Sequence, residues 1–168
     1  MKQGLKHMLF LLCASYVLVC VIFFVMEPAF AANLNCSFSG GTVVNFANYD
    51  PLNTSPLTTS GTITVSCKGF GRRIYLLTIS LGQSPNTSAF NPRAMIGATY
   101  GDLLDYNIYL DPAMTLIWGD GTNGTFQAQT IVFGPRSAKI PYYGKIPPNQ
   151  DVYGGETFTD TLTATLFY

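Results

Sequence analysis

The sequence predicts an all-β fold in which two layers of short strands form a sandwich. Short segments of alternating apolar and polar residues recur roughly every 8–12 residues, with Gly, Pro, Asn and Asp turn signals between them. No stretch beyond residue 31 has helical periodicity over a window of about 11 residues. Charged residues make up only 11% of the chain, whereas strand-forming Thr, Tyr, Phe, Ile and Val are abundant.

The start of the chain predicts an export signal. A positively charged beginning (1–7) precedes an apolar stretch (8–26), and Pro28 and an Ala-x-Ala site ending at Ala31 follow. This order is that of a secretory signal peptide, so we expect residues 1–31 to be cleaved and 32–168 to form the mature domain. An uncleaved anchor is the alternative, because the apolar stretch is just long enough to span a bilayer. Both place the domain outside the cytoplasm.

The composition of the mature domain argues against several classes of function. It contains seven Lys or Arg and eight Asp or Glu, and it lacks the basic patch that a nucleic acid partner would require. The chain's one histidine, His7, lies in the export signal, so the domain cannot form a Ser-His-Asp, Cys-His or His-metal site. We therefore predict a non-enzymatic protein without a metal or other cofactor.

Two cysteines, Cys36 and Cys67, remain after the export signal. In an oxidising compartment the expected outcome is a disulfide between them. Closing a loop of about 30 residues would stabilise the fold by roughly 3–4 kcal/mol in the chain-entropy model. A zinc site is disfavoured because two thiols without a histidine cannot complete its tetrahedral ligand set.

The first half of the domain predicts three strands. One covers 41–51 and ends in a turn at Asp50-Pro51, and a polar loop follows at 52–61. The next covers 62–67 and, after a turn at 68–73, the third covers 74–81. The residues expected to face inward are Ile63, Val65 and Cys67 on the second strand and Leu77, Ile79 and Leu81 on the third.

The second half predicts further short strands and a glycine-rich linker at 149–156. The segment at 115–126 is expected to be a short strand that runs into a glycine-rich turn. The closing segment, 159–168, alternates Leu162, Ala164 and Leu166 with threonines, which is typical of a strand with one buried face. The remaining strands are expected at 93–99, 103–112, 128–134 and 138–148.

Two carboxylate pairs could in principle serve a hydrolase, namely Asp102 with Asp105 and Asp111 with Asp120. Turn chemistry explains these aspartates better, because they flank strands, prolines and glycines. The stretch WGDGTNGT (118–125) lacks the Lys-Ser/Thr ending of a phosphate loop, and it offers too few oxygens for calcium. It predicts hairpin turns instead.

Aromatic residues leave a sugar-binding alternative open. Trp118 could stack on a sugar ring or fill the core, and Tyr142 and Tyr143 are further stacking candidates. If the protein is a carbohydrate-binding module, we expect these three residues to form its sugar-binding site.

Six stretches occur in the order typical of one family: CSFSGGTVVNFANYDP, GTITVSC, YNIYLD, WGDGT, YGKIPPNQ and GETFTDTLTATLFY. Together with the cysteine pair, they resemble the spore coat protein U domain, which also builds the pilins of archaic chaperone–usher pili. The resemblance covers residues 36–168.

This resemblance implies an immunoglobulin-like sandwich that lacks its final strand. A periplasmic chaperone would lend a strand, and at the outer-membrane usher the N-terminal extension of a neighbouring subunit would replace it. Basic residues of the chaperone would hold the carboxylate of Tyr168. By alternation, the residues lining the acceptor groove would be Leu162, Ala164 and Leu166, with Val43 and Phe46 from the first predicted strand.

The expected function is therefore that of a structural or adhesive subunit of a surface pilus or coat, assembled by donor-strand exchange. Only residues 32–35 precede Cys36 in the mature domain, fewer than a donor strand of about 5–6 residues needs. We therefore expect a subunit that accepts a strand and sits at the distal tip. A self-contained secreted coat protein and a carbohydrate-binding module are the alternatives.

Overall fold

The computed structural model describes residues 34–69 and 74–168. The predicted signal peptide, Ala32, Asn33 and most of the turn predicted at 68–73 lie outside these residues. No helix within the described ranges has the length and apolar character needed to cross a membrane. The nine strands are β1 (Asn35–Gly40), β2 (Leu57–Lys68), β3 (Ile74–Leu81), β4 (Arg93–Gly97), β5 (Leu103–Tyr109), β6 (Ala128–Phe133), β7 (Ser137–Ile146), β8 (Phe158–Thr159) and β9 (Ala164–Phe167).

The strands form two antiparallel sheets, which confirms the predicted all-β, immunoglobulin-like sandwich. The larger sheet has the order β1-β2-β7-β5-β4-β8, and the smaller has the order β6-β3-β9. Apolar side chains of both sheets pack between them in one core, as expected when each sheet has only one hydrophobic face. The first and last strands, β1 and β9, each lie at the edge of a sheet.

Strands β2 and β3 agree with the predicted alternation. Strand β3 has the predicted bounds, and its inward residues Leu77, Ile79 and Leu81 are buried. On β2, Ile63 and Val65 are buried opposite Ile140 and Ala138 of β7. The apolar–polar pattern therefore identified the core face of both strands.

The disulfide prediction is also confirmed. Cys36 and Cys67 lie directly opposite each other in the β1–β2 ladder, and their sulfur atoms are bonded. Both residues are buried. The bond therefore fixes the edge strand β1 to its neighbour.

The strand predicted at 41–51 is wrong, because the chain leaves the ladder at Gly41. This residue has φ +75°, and a Cβ there would collide with the carbonyl oxygen of Thr62, so only glycine fits. Beyond it, Val44 and Phe46 pack against the core without joining a strand ladder. Burial across the sheet face has therefore overridden the strand propensity of this segment.

Two other segments differ from prediction. The polar loop predicted at 52–61 ends earlier, because 57–60 pair with β7 and lengthen β2. The segment 115–126 forms isolated bridges instead of a strand, and its glycine-rich turn is present as predicted. In both cases the outcome depends on a partner strand that is distant in sequence.

The closing segment contains two short strands where one was predicted. Strand β8 pairs with β4 in the larger sheet, and β9 pairs with β3 in the smaller sheet. Residues 160–163 carry the chain from one sheet to the other. This crossing places β9 at the edge where the candidate functional site lies.

Candidate strand-pairing site

Strand β9 is paired on one side only within the described residues. Its four ladder positions match those of β3, from Ala164 opposite Leu81 to Phe167 opposite Thr78. The smaller sheet ends at β9, with no further strand among the residues described. Backbone groups on its outer side are therefore available for another strand.

The ladder geometry identifies which backbone groups face outward. Gly82 donates its N–H to the carbonyl of Thr163 at 2.8 Å, so every second residue from Thr163 onward bonds to β3. Leu81, opposite Ala164, donates its N–H away from β9 to Gly119. The N–H and C=O groups of Ala164 and Leu166 therefore point away from β3, toward the open side.

The side chains of this segment alternate as the sequence predicted. Leu162, Ala164 and Leu166 are half-buried against the core, whereas the threonines between them are exposed. Farther along the chain, Tyr168 is exposed. The row of Leu162, Ala164 and Leu166 together with the free backbone of β9 is called the open edge below.

The segment 41–50 lies over the inner face of the larger sheet. Tyr142 donates its hydroxyl to the Val43 carbonyl at 3.2 Å, and the ring of Phe46 occupies the space above Gly144 of β7. Phe46 is half-buried, but the side chain of Val43 is 78% exposed. Of the two groove residues predicted here, Phe46 packs against the core, whereas Val43 contacts the sheet through its backbone carbonyl and leaves its side chain exposed.

Tyr106 connects this segment to the chain that enters β9. Its ring meets Phe46 edge-on, with ring centroids 6.0 Å apart, and its hydroxyl donates to Asp160 at 2.7 Å. Burial, and then this hydrogen bond, raise the pKa of Tyr106, so the hydroxyl keeps its proton. One buried side chain therefore contacts both segments.

Asp160 fixes the crossing between the sheets. Besides the Tyr106 hydroxyl, it accepts hydrogen bonds from the Asn86 side chain at 3.3 Å and from the N–H of Thr161 at 2.7 Å. Asn86 also donates to the Ala94 carbonyl at 2.8 Å. The start of the open edge is thus tied to the larger sheet by charge-assisted hydrogen bonds.

Arg93 is fully buried and holds the other side of this crossing. Its guanidinium donates to the carbonyls of Gly82 and Trp118 at 2.8 and 2.7 Å and to the Asn107 side chain at 2.6 Å. Burial lowers its pKa to about 10, so it remains a cation at neutral pH. Gly82 in turn donates its N–H to Thr163, the residue that precedes β9. Arg93 therefore stabilises the start of β9 through Gly82. Sequence reasoning missed this role, because an arginine at the start of a strand is usually exposed.

Two of the three sugar-stacking candidates are wrong. Trp118 is only 1% exposed and donates its ring N–H to the Ile79 carbonyl at 2.9 Å, so it is a core residue. Tyr142 is 4% exposed and packs above Gly61. Tyr143 is half-buried. Neither buried ring can offer a face to a sugar.

Two aspartates of the predicted turns act as expected. Asp111 accepts the N–H groups of Thr115 and Leu116 at 2.9 and 2.7 Å. Asp120 accepts the hydroxyl and N–H of Thr122, and these bonds lower the pKa of Asp120. Within the described part of the chain, no cluster of three or more His, Cys, Asp or Glu is placed to hold a metal.

The fold and this site define an immunoglobulin-like β-sandwich whose last strand, β9, lies at a sheet edge and, among the residues described, pairs on one side only. The chain belongs to the Spore Coat Protein U domain family, whose model matches residues 23–165. The resemblance inferred from the six sequence stretches is thereby confirmed.

One similar protein supports the family, and one solved structure supports the fold. The chain is 31% identical over 142 residues to Protein U of Myxococcus xanthus, an alignment that covers 79% of this chain and 75% of that protein. It is also similar to a chain of the CsuC–CsuE chaperone–tip adhesion subunit pre-assembly complex from the archaic chaperone–usher Csu pili of Acinetobacter baumannii. That likeness has a TM-score of 0.54 at 20% identity and covers 80% of this chain but only 40% of the other, so it supports the fold.

Proposed function

We propose that this protein is an exported structural or adhesive subunit of a surface pilus or coat, and that its open edge accepts a strand from another chain. The observation that carries the proposal is the one-sided pairing of β9 beside a half-buried apolar row. Family membership and the fold support it. The proposal assigns no catalytic residue and no cofactor.

An added strand would act through two kinds of contact. Its backbone would bond to the outward N–H and C=O groups of Ala164 and Leu166, as in β-augmentation. Its alternate apolar side chains would cover the half-buried row of Leu162, Ala164 and Leu166. Each fully buried aliphatic or aromatic side chain contributes about 1.5–3 kcal/mol, so three anchors would offset a large part of the cost of association.

The proposed sources of the strand are those that the family resemblance implies. A periplasmic chaperone would supply it in transit, and an outer-membrane usher would exchange it for a strand of a neighbouring subunit. The distal-tip position and the capture of the Tyr168 carboxylate by the chaperone remain predictions from the sequence.

The proposal is tested by fusing a strand to the chain. A flexible linker and a heptapeptide that alternates Val with Thr are added after Tyr168, and the control fusion carries Asn at each Val position. We expect the Val fusion alone to raise Tm by at least about 10 °C, since 1 kcal/mol shifts Tm by roughly 4 °C in a domain of this size. Equal Tm values for the unmodified chain and both fusions would show that the sandwich is self-contained, which is the behaviour of the alternative coat protein.

A further inference from the structure

Two carboxylates join the β4–β5 turn to the loop that precedes β8. Glu156 of the loop accepts the N–H groups of Thr99 and Tyr100 at 2.8 and 3.2 Å. In the opposite direction, Asp102 of the turn accepts the N–H of Tyr153 at 2.8 Å. Because each segment supplies a carboxylate to the backbone of the other, the two loops are held in a fixed relation, called the carboxylate clamp below.

The carboxylate clamp holds two exposed aromatic rings against each other. Tyr100 and Tyr153 have ring centroids 4.7 Å apart and planes inclined by 38°. Their exposed fractions are 62% and 64%. The backbone N–H of each tyrosine donates to one carboxylate of the clamp, so the pair is ordered before any ligand binds.

A cavity of about 360 Å³ adjoins this pair. Tyr153, Glu156 and Phe158 from one segment and Asn48 and Tyr49 from another line its wall. This volume is within the range of small-molecule sites, and the mixture of aromatic rings and a few polar groups is typical of them. The described structure therefore offers an ordered aromatic surface that continues into a pocket.

Glu156 is the charged residue among those that line the cavity, and the segments that carry the cavity and the tyrosine pair contain charge of one sign. The segments 48–51, 97–102 and 149–158 contain four carboxylates and no Lys, Arg or His. The carboxylates are Asp50, Asp102, Asp151 and Glu156. Negative charge beside the electron-rich faces of two tyrosines favours a cation with an apolar surface, which both groups attract.

We propose that the Tyr100–Tyr153 pair and the adjoining cavity bind an organic ammonium group of the choline type. The quaternary nitrogen would lie against the face of Tyr153 that Tyr100 does not cover, and its methyl groups would fill the mouth of the cavity. This site is separate from the open edge and does not depend on strand acceptance. This ammonium group could belong to a free small molecule or to the headgroup of a lipid.

The test compares choline with its neutral isostere 3,3-dimethyl-1-butanol, using the full chain and amide chemical shifts. We expect choline to bind in the millimolar range and the isostere at least tenfold more weakly, because only choline carries the charge. Binding should weaken as the salt concentration rises from 0.02 to 0.5 M. The shifts should concentrate in 97–102 and 149–158. Equal binding of both compounds, no binding of choline, or shifts elsewhere would overturn the proposal.

Variants locate the site independently. Tyr100→Ala with Tyr153→Ala should weaken choline binding at least tenfold, whereas Phe at both positions should preserve it because the ring faces remain. Tyr143→Ala is the matched control and should bind as the unmodified chain does. If the double alanine variant fails to fold, the shift map of the unmodified chain decides. Preserved binding in the folded alanine variant contradicts the site.

Vesicles distinguish the two sources of the ligand. Binding to phosphatidylcholine vesicles but not to phosphatidylglycerol vesicles would assign the site to a headgroup. Binding of free choline without binding to either vesicle would assign it to a soluble amine. Preference for phosphatidylglycerol would contradict the proposal, because an anionic lipid should be repelled by the four carboxylates.

Discussion

The first and last strands of the sandwich both lie at sheet edges, yet they are secured in different ways. Strand β1 is bonded covalently to β2 through Cys36 and Cys67, at directly opposed positions in the ladder. Strand β9 has four ladder positions with β3, and its inward side chains remain half-exposed. The difference indicates that β1 is fixed permanently, whereas β9 is held in place at its beginning and left free to pair along its outer side.

The hydrogen bonds before β9 explain how an edge strand stays ordered without a second neighbour. Arg93 supports Gly82 from within the core, and Asp160 ties the sheet crossing to Tyr106 and Asn86. These groups are buried or half-buried, where unpaired polar atoms would be costly. The start of β9 is therefore ordered by polar contacts, and the remaining order comes from the ladder with β3.

The largest expected effect comes from removing the support of β9. Arg93→Met keeps the approximate volume of the side chain but leaves the carbonyls of Gly82 and Trp118 without a donor. We expect a loss of about 3–5 kcal/mol in urea unfolding. The exposed Arg136→Met is the control and should change stability by less than about 0.5 kcal/mol. Similar values for the two variants would contradict the role assigned to Arg93.

Removing the covalent bond tests the other edge. Cys36→Ala with Cys67→Ala should cost about 3 kcal/mol and lower Tm by roughly 10 °C. The gain from a fused Val-Thr strand should remain unchanged, because the two edges lie on different sheets and act independently. A loss of that gain would show that the disulfide also shapes the open edge.

A charge in the apolar row should close the open edge to a partner. Leu166→Asp places a carboxylate on the inward side of β9, so we expect about 2 kcal/mol of destabilisation and no gain from the fused strand. The neighbouring Thr165→Asp faces outward and should leave both quantities nearly unchanged. Calorimetry of each variant with and without the fusion provides the comparison. A retained gain in Leu166→Asp would be inconsistent with side-chain insertion on this face.

The smallest effect concerns the Tyr106 hydroxyl. Tyr106→Phe removes the hydrogen bond to Asp160 and should cost about 1.5–2 kcal/mol at pH 7. Burial raises the pKa of Tyr106 above that of an unfolded tyrosine, which is about 10. The Tyr106 hydroxyl therefore contributes fully to the free energy of unfolding below pH 10, and this contribution is lost as the pH rises above 10. The unmodified chain should therefore lose stability above pH 10 more steeply than Tyr106→Phe. Tyr143→Phe serves as the control, and parallel alkaline profiles for wild type and Tyr106→Phe would contradict this assignment.

Local alternation predicted much of this structure. The period-2 pattern predicted the inward faces of β2 and β3 and the alternation from Leu162 to Leu166. The oxidising compartment predicted the Cys36–Cys67 bond. These features depend on near neighbours in the sequence, or on a single covalent pair. They could therefore be inferred before any partner strand was known.

The remaining features depend on long-range partners that a pattern does not contain. Residues 160–163 cross between sheets because Asp160 finds Tyr106 and Asn86, whereas 41–50 cover a sheet face because Gly41 turns the chain out of the ladder. The burial of Arg93 depends on acceptors at Gly82, Asn107 and Trp118. The Tyr100–Tyr153 pair likewise forms only when two distant loops meet.

Hydrogen exchange at β9 tests strand acceptance most directly. An alternating Val-Thr peptide is added to the isotope-labelled chain, and amide protection is compared with that in the Asn control peptide. We predict new protection at Ala164 and Leu166, whose N–H groups face away from β3, and little change at Thr165, whose N–H already bonds to β3. Unchanged exchange at Ala164 and Leu166, or equal gains at all three residues, would contradict the account of an open edge that accepts a strand.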